Sequence, residues 1–390
     1  MSFDFDNPVN RRNTGCCKWD DLQQIFGRTD ILPLWVADMD FTAPPGVTEA
    51  LRARLEHPVY GYHTREKTLF ESVADWEKKR HGWHIELEWL MNAPGVVPSI
   101  SAAILAFTEP GDEIIIQPPV YPPFSACVKN NNRKLVENPL LEVNGRYTPD
   151  FDDLEQKITP KTKMLVLCSP HNPVGRVWTK DELFKLNEIC LRHEVLVISD
   201  EIHCDLVFPG HRHIPTATLG DEIARNTIAM ISPSKTFNIA GTYTSFVVIP
   251  DAEKRRKFTQ IIDALKIGAG NLFGIIAAEA AYRTGEAWLE ELLPYLEGNA
   301  EYLVEYVRTN IPEVKVVKPE GTYLGWLDFR AVSNDPAYLQ ELLLNRAKVG
   351  LNDGAAYGQG GACFARINFA CSRSLLREGL VRIEQAIKNR

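Results

Sequence analysis

The sequence predicts an α/β fold in which a mostly parallel central sheet is covered by helices on both faces and is followed by a smaller α+β domain. Between residues 92 and 249, short runs rich in β-branched residues alternate with segments of helical periodicity. These runs are almost continuously apolar, which is typical of parallel strands buried on both faces. From about residue 288 the pattern changes, and apolar and polar residues alternate as in strands that are exposed on one face. A chain of 390 residues also exceeds the usual size of one core, so two domains are expected.

The individual elements follow from the same periodicities. Residues 34–41 are typical of an extended segment, and a helical pattern begins at Val47. Further helices are predicted at residues 66–80, 99–107, 180–193, 252–285, 286–310 and 373–389. Strands are predicted at residues 113–116, 163–168, 195–200, 227–231, 245–249, 314–317, 323–328 and 366–369. We expect residues 1–45 to join the small domain, 46–287 to form the large domain and 288–390 to form the small C-terminal domain.

Composition narrows the class of function. A net charge of −8 argues against nucleic acid or an anionic membrane as the partner. No apolar run reaches the roughly 18 to 20 residues that span a bilayer. The acidic N-terminus lacks a signal-peptide core, so a cytoplasmic location is expected. The eight cysteines include no Cys-x-x-Cys pair, so the spacing predicts reduced thiols and no metal site.

Three polar residues, Asn172, Asp200 and Lys235, come at or just after the ends of predicted strands. The carboxyl ends of parallel strands meet at one edge of a sheet, where ligands bind, so these side chains should lie close together. A lysine can form a Schiff base with a pyridine aldehyde, a carboxylate can keep the ring nitrogen protonated, and an amide can donate to the ring hydroxyl. Each residue alone has an ordinary alternative, as a loop lysine, a helix cap or a turn residue. Their joint occurrence favours the cofactor.

Four motifs contain these residues and extend the pattern. They are 169–175 (Ser-Pro-His-Asn-Pro-Val-Gly), 199–203 (Ser-Asp-Glu-Ile-His), 232–238 (Ser-Pro-Ser-Lys-Thr-Phe-Asn) and 366–368 (Arg-Ile-Asn). On these motifs the chain resembles the fold-type I pyridoxal-phosphate enzymes. Residues 35–41 (Trp-Val-Ala-Asp-Met-Asp-Phe) and 213–215 (His-Ile-Pro) resemble one group within them, the class-II aminotransferase-like carbon–sulfur lyases, or MalY/PatB group of cystathionine β-lyases. The resemblance extends over essentially the whole chain.

The resemblance implies a pyridoxal-phosphate-dependent transferase fold of type I, with pyridoxal 5'-phosphate as the cofactor and a role for each matching residue. Lys235 would hold the cofactor and then move the Cα proton of the substrate. Asp200 would pair with the pyridinium nitrogen, and Asn172 would contact the ring hydroxyl. His203, at a position where many relatives have a tyrosine, would be a second hydroxyl contact. Tyr121 would stack on the ring, with a core aromatic as the open alternative.

The phosphate contacts are also implied by the resemblance. The backbone of Val96 and Val97 would cradle the phosphate, since helix N-termini favour anions. The hydroxyl groups of Ser232 and Ser234 would contribute, with Ser232 the better candidate.

An arginine eight residues after the lysine neutralises the phosphate in many aminotransferases, and here that position is Tyr243. The resemblance therefore implies a homodimer with shared active sites, in which Tyr62 of the neighbouring subunit completes the phosphate site. A surface aromatic remains the alternative for Tyr62.

The implied activity is a carbon–sulfur β-lyase acting on an amino-acid thioether. Arg366 would bind the substrate α-carboxylate in two-point geometry, and Ala37 and Tyr323 would line the substrate pocket. L-cystathionine or a related cysteine S-conjugate would yield a thiol (homocysteine from cystathionine), pyruvate and ammonia. Two alternatives stay open. One is an aminotransferase on the same scaffold, because both reactions begin by removing the Cα proton. The other is a cofactor-binding regulatory protein that docks a transcription factor.

Overall fold

The computed structural model describes residues 3–64 and 67–390. Its strands are β1 (Leu32–Pro33), β2 (Leu90–Ala93), β3 (Glu113–Ile116), β4 (Lys134–Glu137), β5 (Leu141–Val143), β6 (Arg146–Thr148), β7 (Thr162–Cys168), β8 (Leu196–Asp200), β9 (Thr227–Ile231), β10 (Ser245–Val248), β11 (Leu324–Asp328), β12 (Val349–Gly350), β13 (Asn352–Asp353) and β14 (Phe364–Asn368). Its α-helices are α1 (Cys17–Asp20), α2 (Leu22–Phe26), α3 (Pro45–Leu55), α4 (Lys67–His81), α5 (Val96–Phe107), α6 (Pro123–Asn130), α7 (Phe151–Lys157), α8 (Lys180–Arg192), α9 (Asp221–Arg225), α10 (Pro233–Thr236), α11 (Ala252–Leu265), α12 (Leu272–Thr284), α13 (Glu286–Asn310), α14 (Pro336–Glu341) and α15 (Arg373–Lys388).

The central sheet has seven strands in the order β2-β10-β9-β8-β7-β3-β4. Strands β4, β3, β7, β8 and β9 run parallel, and β10 is antiparallel to both of its neighbours. The predicted α/β class with a mostly parallel sheet is confirmed. The first five predicted strands all belong to this sheet.

Successive residues of the central strands point to opposite faces of the sheet, and helices cover both faces. In β3, Ile114 and Ile116 pack with apolar residues of α5 and α11, whereas Ile115 packs with those of α8 on the other face. The side chains of Ile114, Ile115 and Ile116 are at most 2% exposed. This double burial explains why the strands are continuous apolar runs in the sequence, and it fixes their carboxyl ends along one rigid edge.

The C-terminal region contains a smaller antiparallel sheet in the order β11-β14-β13. Strand β1 pairs in parallel with β12, so the N-terminal segment is tied to this region. The domain boundaries, including the assignment of residues 1–45 to the small domain, stay a prediction. Among the described residues, no helix is long and apolar enough to cross a membrane.

Several predicted elements differ from the structure. The strand predicted at 314–317 is wrong: Lys315 forms only an isolated bridge to Asp328, and Val317 is exposed. The helix predicted at 252–285 is two helices, since Lys266 adopts a left-handed backbone conformation (φ 57°) that ends the first. Helix α5 begins at Val96 rather than residue 99, because a proline at 98 is tolerated in the first turn of a helix.

Candidate active site

A cavity of about 210 Å³ lies beside the carboxyl ends of β7, β8 and β9. It is lined by ten of the predicted site residues: Ala37, Val96, Val97, Tyr121, Asn172, Asp200, His203, Ser232, Ser234 and Lys235. Of the other three, Arg366 and Tyr323 contact lining residues, and Tyr62 does not line the cavity. The sheet edge therefore brings together the residues that the motifs singled out.

Asp200 is the last residue of β8, paired with Cys168 of β7 and Met230 of β9. Its side chain is buried, and one carboxylate oxygen accepts a hydrogen bond from the Ile202 backbone N–H at 3.1 Å. Burial raises the pKa of Asp200 to about 7. A carboxylate in this position is stabilised by a cationic partner in the cavity, because burial without one disfavours its charge.

Lys235 lies in the short helix α10, which follows β9 directly. Ser232 caps this helix by accepting from the Ser234 N–H. The Lys235 Nζ donates to the carbonyl oxygen of Ala37 at 2.5 Å. Burial, together with the positive charge of Arg366, lowers the pKa of Lys235 to about 8. The amine is therefore much more easily deprotonated than an exposed lysine, as a nucleophile and base requires.

Arg366 lies in β14 and reaches the cavity from the small sheet. Its Nη1 donates to Asn172 Oδ1 at 3.0 Å, and its Nη2 donates to the Trp35 carbonyl oxygen at 2.8 Å. The side chain is 3% exposed, and its Nε has no hydrogen-bond partner among the described residues. Because Asn172 Oδ1 already accepts a hydrogen bond from Arg366, the amide nitrogen of Asn172 is the atom that can donate a hydrogen bond into the cavity.

His203 and Tyr323 form the wall beside Lys235. Their rings are 5.9 Å apart in an edge-to-face arrangement, and the Tyr323 hydroxyl donates to the Ala37 carbonyl oxygen at 2.9 Å. Burial holds the pKa of His203 well below its usual range, so the ring is neutral. Its Nδ1 is buried without a hydrogen-bond partner in the part of the chain that the structure describes. Tyr121 lines the cavity partly buried, with its ring edge-to-face on Phe124.

The opposite end of the cavity is formed by the N-terminus of α5 and two serines. Val96 and Val97 are the first two residues of α5, so their backbone N–H groups belong to the first turn. The Ser232 hydroxyl caps α10 and donates to the Thr244 carbonyl oxygen at 2.8 Å. The Ser234 hydroxyl lies 2.6 Å from that of Ser232 and 3.4 Å from Thr244 O. The Ser232 hydroxyl thus has the shorter hydrogen bond to Thr244, and the preference for Ser232 as a phosphate contact stays a prediction.

Two tyrosines on the surface bear on the same end. Tyr243, at the position where many aminotransferases have an arginine, lines the cavity, is 69% exposed and has a left-handed backbone (φ 47°). Tyr62 is fully exposed and contributes nothing to the cavity of its own chain. A role for Tyr62 in the phosphate site thus requires a second subunit.

Two asparagines in the quoted motifs have a role that sequence reasoning missed. Asn368 donates to the carbonyl oxygens of Val36 and Asp38, and Asn238 bonds both the N–H and the carbonyl oxygen of Met39. Together they hold the irregular segment that presents Ala37 to Lys235. Their presence in the quoted motifs was the only sequence signal for this role. Hydrogen bonds to an irregular backbone segment leave no periodic pattern in the sequence, so the role itself could not be predicted.

These residues fit pyridoxal phosphate. The cavity offers an easily deprotonated amine, a buried carboxylate that needs a cation, and the neutral ring of His203, whose Nδ1 has no hydrogen-bond partner among the described residues. It also offers the N-terminus of a twelve-residue helix, which suits a phosphate. Asp200 would hold the ring nitrogen, Asn172 and His203 the ring hydroxyl, and α5 with the serines the phosphate.

Fold and cavity together define the class: the fold is that of the pyridoxal-phosphate-dependent enzymes of the aminotransferase type. Residues 29–383 match the family described as aminotransferase class I and II, and the chain belongs to that family.

Three known proteins are similar to this chain over its full length. Cystathionine beta-lyase PatB from Bacillus subtilis is 46% identical over 386 residues, covering 99% of this chain and 100% of that protein. The structure of a PLP-bound putative aminotransferase from Clostridium difficile is 47% identical, with a TM-score of 0.97, and the match covers 99% of this chain and 100% of that one. Cystalysin from Treponema denticola, whose structure contains pyridoxal 5'-phosphate, is 39% identical, with a TM-score of 0.97 and full coverage of both chains.

Proposed function

We propose that this protein is a pyridoxal-phosphate-dependent carbon–sulfur β-lyase that cleaves L-cystathionine or a related cysteine S-conjugate. The observation that carries the proposal is the joint presence of Lys235, Asp200 and Asn172 in one cavity, with Arg366 directly behind Asn172. This arrangement supports chemistry at the Cα of an amino acid. The full-length similarity to a cystathionine β-lyase favours cleavage at Cβ over amino transfer.

Substrate binding rests on Arg366. Its guanidinium is planar and permanently charged, and a planar fork matches a carboxylate at two points. Its Nε has no hydrogen-bond partner among the described residues and shares one edge of the guanidinium with Nη2, so this edge is the two-point donor available to an α-carboxylate. Tyr323 and the Ala37 carbonyl oxygen border the space in which Cα would then lie.

Proton transfer rests on Lys235. When bound, the cofactor supplies an electron-accepting ring conjugated to Cα. Lys235 would take the Cα proton, which its lowered pKa favours near neutral pH. Asp200 would keep the ring nitrogen protonated through a buried ion pair. Loss of the proton allows the Cβ–S bond to break, the sulfur leaves as a thiolate, and water converts the three-carbon remainder to pyruvate and ammonia.

The decisive assay incubates the purified protein with L-cystathionine and follows thiol and pyruvate together. Equal release of both without an added keto acid is expected. Lys235→Ala should abolish both products, while Lys129→Ala, an exposed lysine on α6, should change neither. Failure to release thiol, together with amino transfer that depends on a keto acid, would overturn the proposal in favour of an aminotransferase.

The same proposal includes a homodimer with shared active sites and a cytoplasmic location, with no nucleic-acid or membrane partner. The net charge of −8 argues against nucleic-acid and anionic-membrane partners, and the exposed Tyr62 is available to a second subunit. The alternative, a regulatory protein that docks a transcription factor, can be distinguished from an enzyme with Lys235→Ala, because docking would survive this substitution and catalysis would not.

A further inference from the structure

A second cluster of chemically reactive side chains lies behind the cofactor cavity. Glu77, His81 and Cys204 each offer a ligand atom, and these three atoms lie within 4.8 Å of one another. Glu77 and His81 stand four residues apart on α4 and therefore face the same side of that helix. Cys204 follows the cavity residue His203 in the turn after β8.

The carboxyl group of Glu77 is the unexplained feature of this cluster. Glu77 is 2% exposed and its carboxyl group is attracted by the His81 ring, yet its side chain makes no hydrogen bond within residues 3–64 and 67–390. A buried polar group without a partner is costly and calls for an explanation. The thiol of Cys204, 3% exposed, points into the same small space.

His81 is held through one ring nitrogen by a carboxylate. Its Nε2 lies 3.0 Å from Asp205 Oδ1, and Asp205 is held in turn by the Trp76 indole N–H and the Thr236 hydroxyl. Metal-binding histidines in proteins usually donate their second ring N–H to a carboxylate in this way. The other nitrogen, Nδ1, makes no hydrogen bond among the described residues.

We propose that Glu77, His81 and Cys204 form a binding site for a zinc-class divalent cation. A carboxylate oxygen, an imidazole nitrogen and a thiolate are the ligand types that zinc accepts in tetrahedral sites. Such a site places its ligand atoms about 3.3 to 3.8 Å apart, so atoms that now lie up to 4.8 Å apart would have to approach by as much as about 1 to 1.5 Å to bind one ion. A surface cavity of about 250 Å³ is lined by His81 and Cys204 and provides both a route for the ion and room for water as the fourth ligand.

The sequence pattern could not predict this site, because the ligands come from helix α4 and from a turn more than a hundred residues later. None of the three proposed ligands lines the cofactor cavity, but hydrogen bonds link the two sites. Asp205, which fixes His81, also accepts from Thr236, the neighbour of Lys235.

The test uses chelator-treated holoenzyme dialysed against Zn²⁺, followed by measurement of the metal retained per chain. About one retained zinc is expected in the wild-type protein, and Cys204→Ala and His81→Gln should each lose it. Cys17→Ala, which removes an exposed thiol, should keep it. Wild-type protein that retains no zinc, or Cys204→Ala protein that retains as much as the wild type, would overturn the proposal.

A second measurement needs no variant and so does not depend on mutant folding. Crystals of the holoenzyme soaked in Zn²⁺ should give an anomalous scattering peak among Glu77, His81 and Cys204. A peak found only beside Cys16 and Cys17, or only in the cofactor cavity, would contradict the assignment.

Discussion

The amine of Lys235 donates to the carbonyl oxygen of Ala37 at 2.5 Å, joining two segments that are 198 residues apart. The Tyr323 hydroxyl donates to the same oxygen at 2.9 Å. The irregular segment around Ala37 therefore acts as a third wall of the site, in addition to the sheet edge and the small antiparallel sheet. It places a neutral acceptor nearest to the amine, and burial together with the charge of Arg366 outweighs the carboxylates of Asp38 and Asp200, so the pKa of Lys235 stays lowered.

The first prediction concerns the pH dependence of cofactor uptake. Only the neutral amine attacks an aldehyde, and the pKa of Lys235 lies at about 8 rather than near 10.4. The folded-state pKa is lowered, so the neutral form becomes abundant at lower pH than in an exposed lysine. The rate at which cofactor-free protein takes up pyridoxal phosphate should rise about tenfold per pH unit below pH 8 and level off above it. Stopped-flow absorbance measures this rate.

A variant at Arg366 tests the electrostatic contribution to the lowered pKa of Lys235. Arg366 contributes a positive charge that lowers the pKa of Lys235, so Arg366→Met should move the midpoint of the profile to higher pH. A wild-type rate that keeps rising through pH 10 would contradict the lowered pKa.

The second prediction concerns Asp200→Asn, which keeps the shape of the side chain and removes its charge. The expected loss is about 10² to 10³ in kcat for β-elimination, comparable to removing one preorganised electrostatic contact, with a smaller change in KM. Pyruvate release under steady-state conditions measures both constants. Asp152→Asn, at an exposed carboxylate of α7, is the control and should leave them unchanged. Equal activity of the two variants would remove Asp200 from the mechanism.

The third prediction concerns Arg366→Lys, which keeps the charge and loses the planar fork. Arg366 makes separate hydrogen bonds from Nη1 and Nη2, which one ammonium cannot reproduce. Losing a charged hydrogen bond of about 1.5 to 3 kcal/mol should raise KM for L-cystathionine about ten- to hundredfold. Arg377→Lys, at an exposed position on α15, should have no effect. A normal KM in Arg366→Lys would place carboxylate binding elsewhere.

Much of the fold could be predicted because its strands are buried on both faces. Runs such as Ile114 to Ile116 have no polar interruption, so the sheet and the residues at its edge follow from the sequence alone. Alternating apolar residues were misleading at 314–317, where Val314 is buried but Val317 is exposed and no strand partner extends beyond one bridge. Alternation predicts a strand only where a neighbouring strand is present to pair with it.

Some residues of the candidate site could be predicted from the sequence and others could not, again for physical reasons. Asp200 and Lys235 could be predicted from strand ends. Arg366 lies in a separate sheet and Tyr323 directly precedes a strand of that sheet, so both were reached only through motif resemblance. Asn368 and Asn238 were missed in their positioning role, because that role consists of hydrogen bonds to backbone carbonyl groups far away in the chain. Long-range contacts of this kind require the folded structure.

The last prediction concerns Tyr62 and the dimer. Tyr62 is fully exposed in one chain and Tyr243 stands where relatives have a phosphate-binding arginine, so a partner's tyrosine would complete the phosphate contacts. Tyr62→Ala should weaken cofactor binding about tenfold, the loss of about one hydrogen bond to a charged group. Tyr60→Ala, at the neighbouring exposed tyrosine, should not weaken cofactor binding.

A mixing experiment tests whether the active sites are shared between subunits. Inactive Lys235→Ala protein is mixed with Tyr62→Ala protein at limiting cofactor. If sites are shared, the mixture should be more active than either protein alone, because one site of each hybrid dimer then has both Lys235 and Tyr62. A monomer in solution, or mixtures no more active than their components, would show that each chain completes its own site.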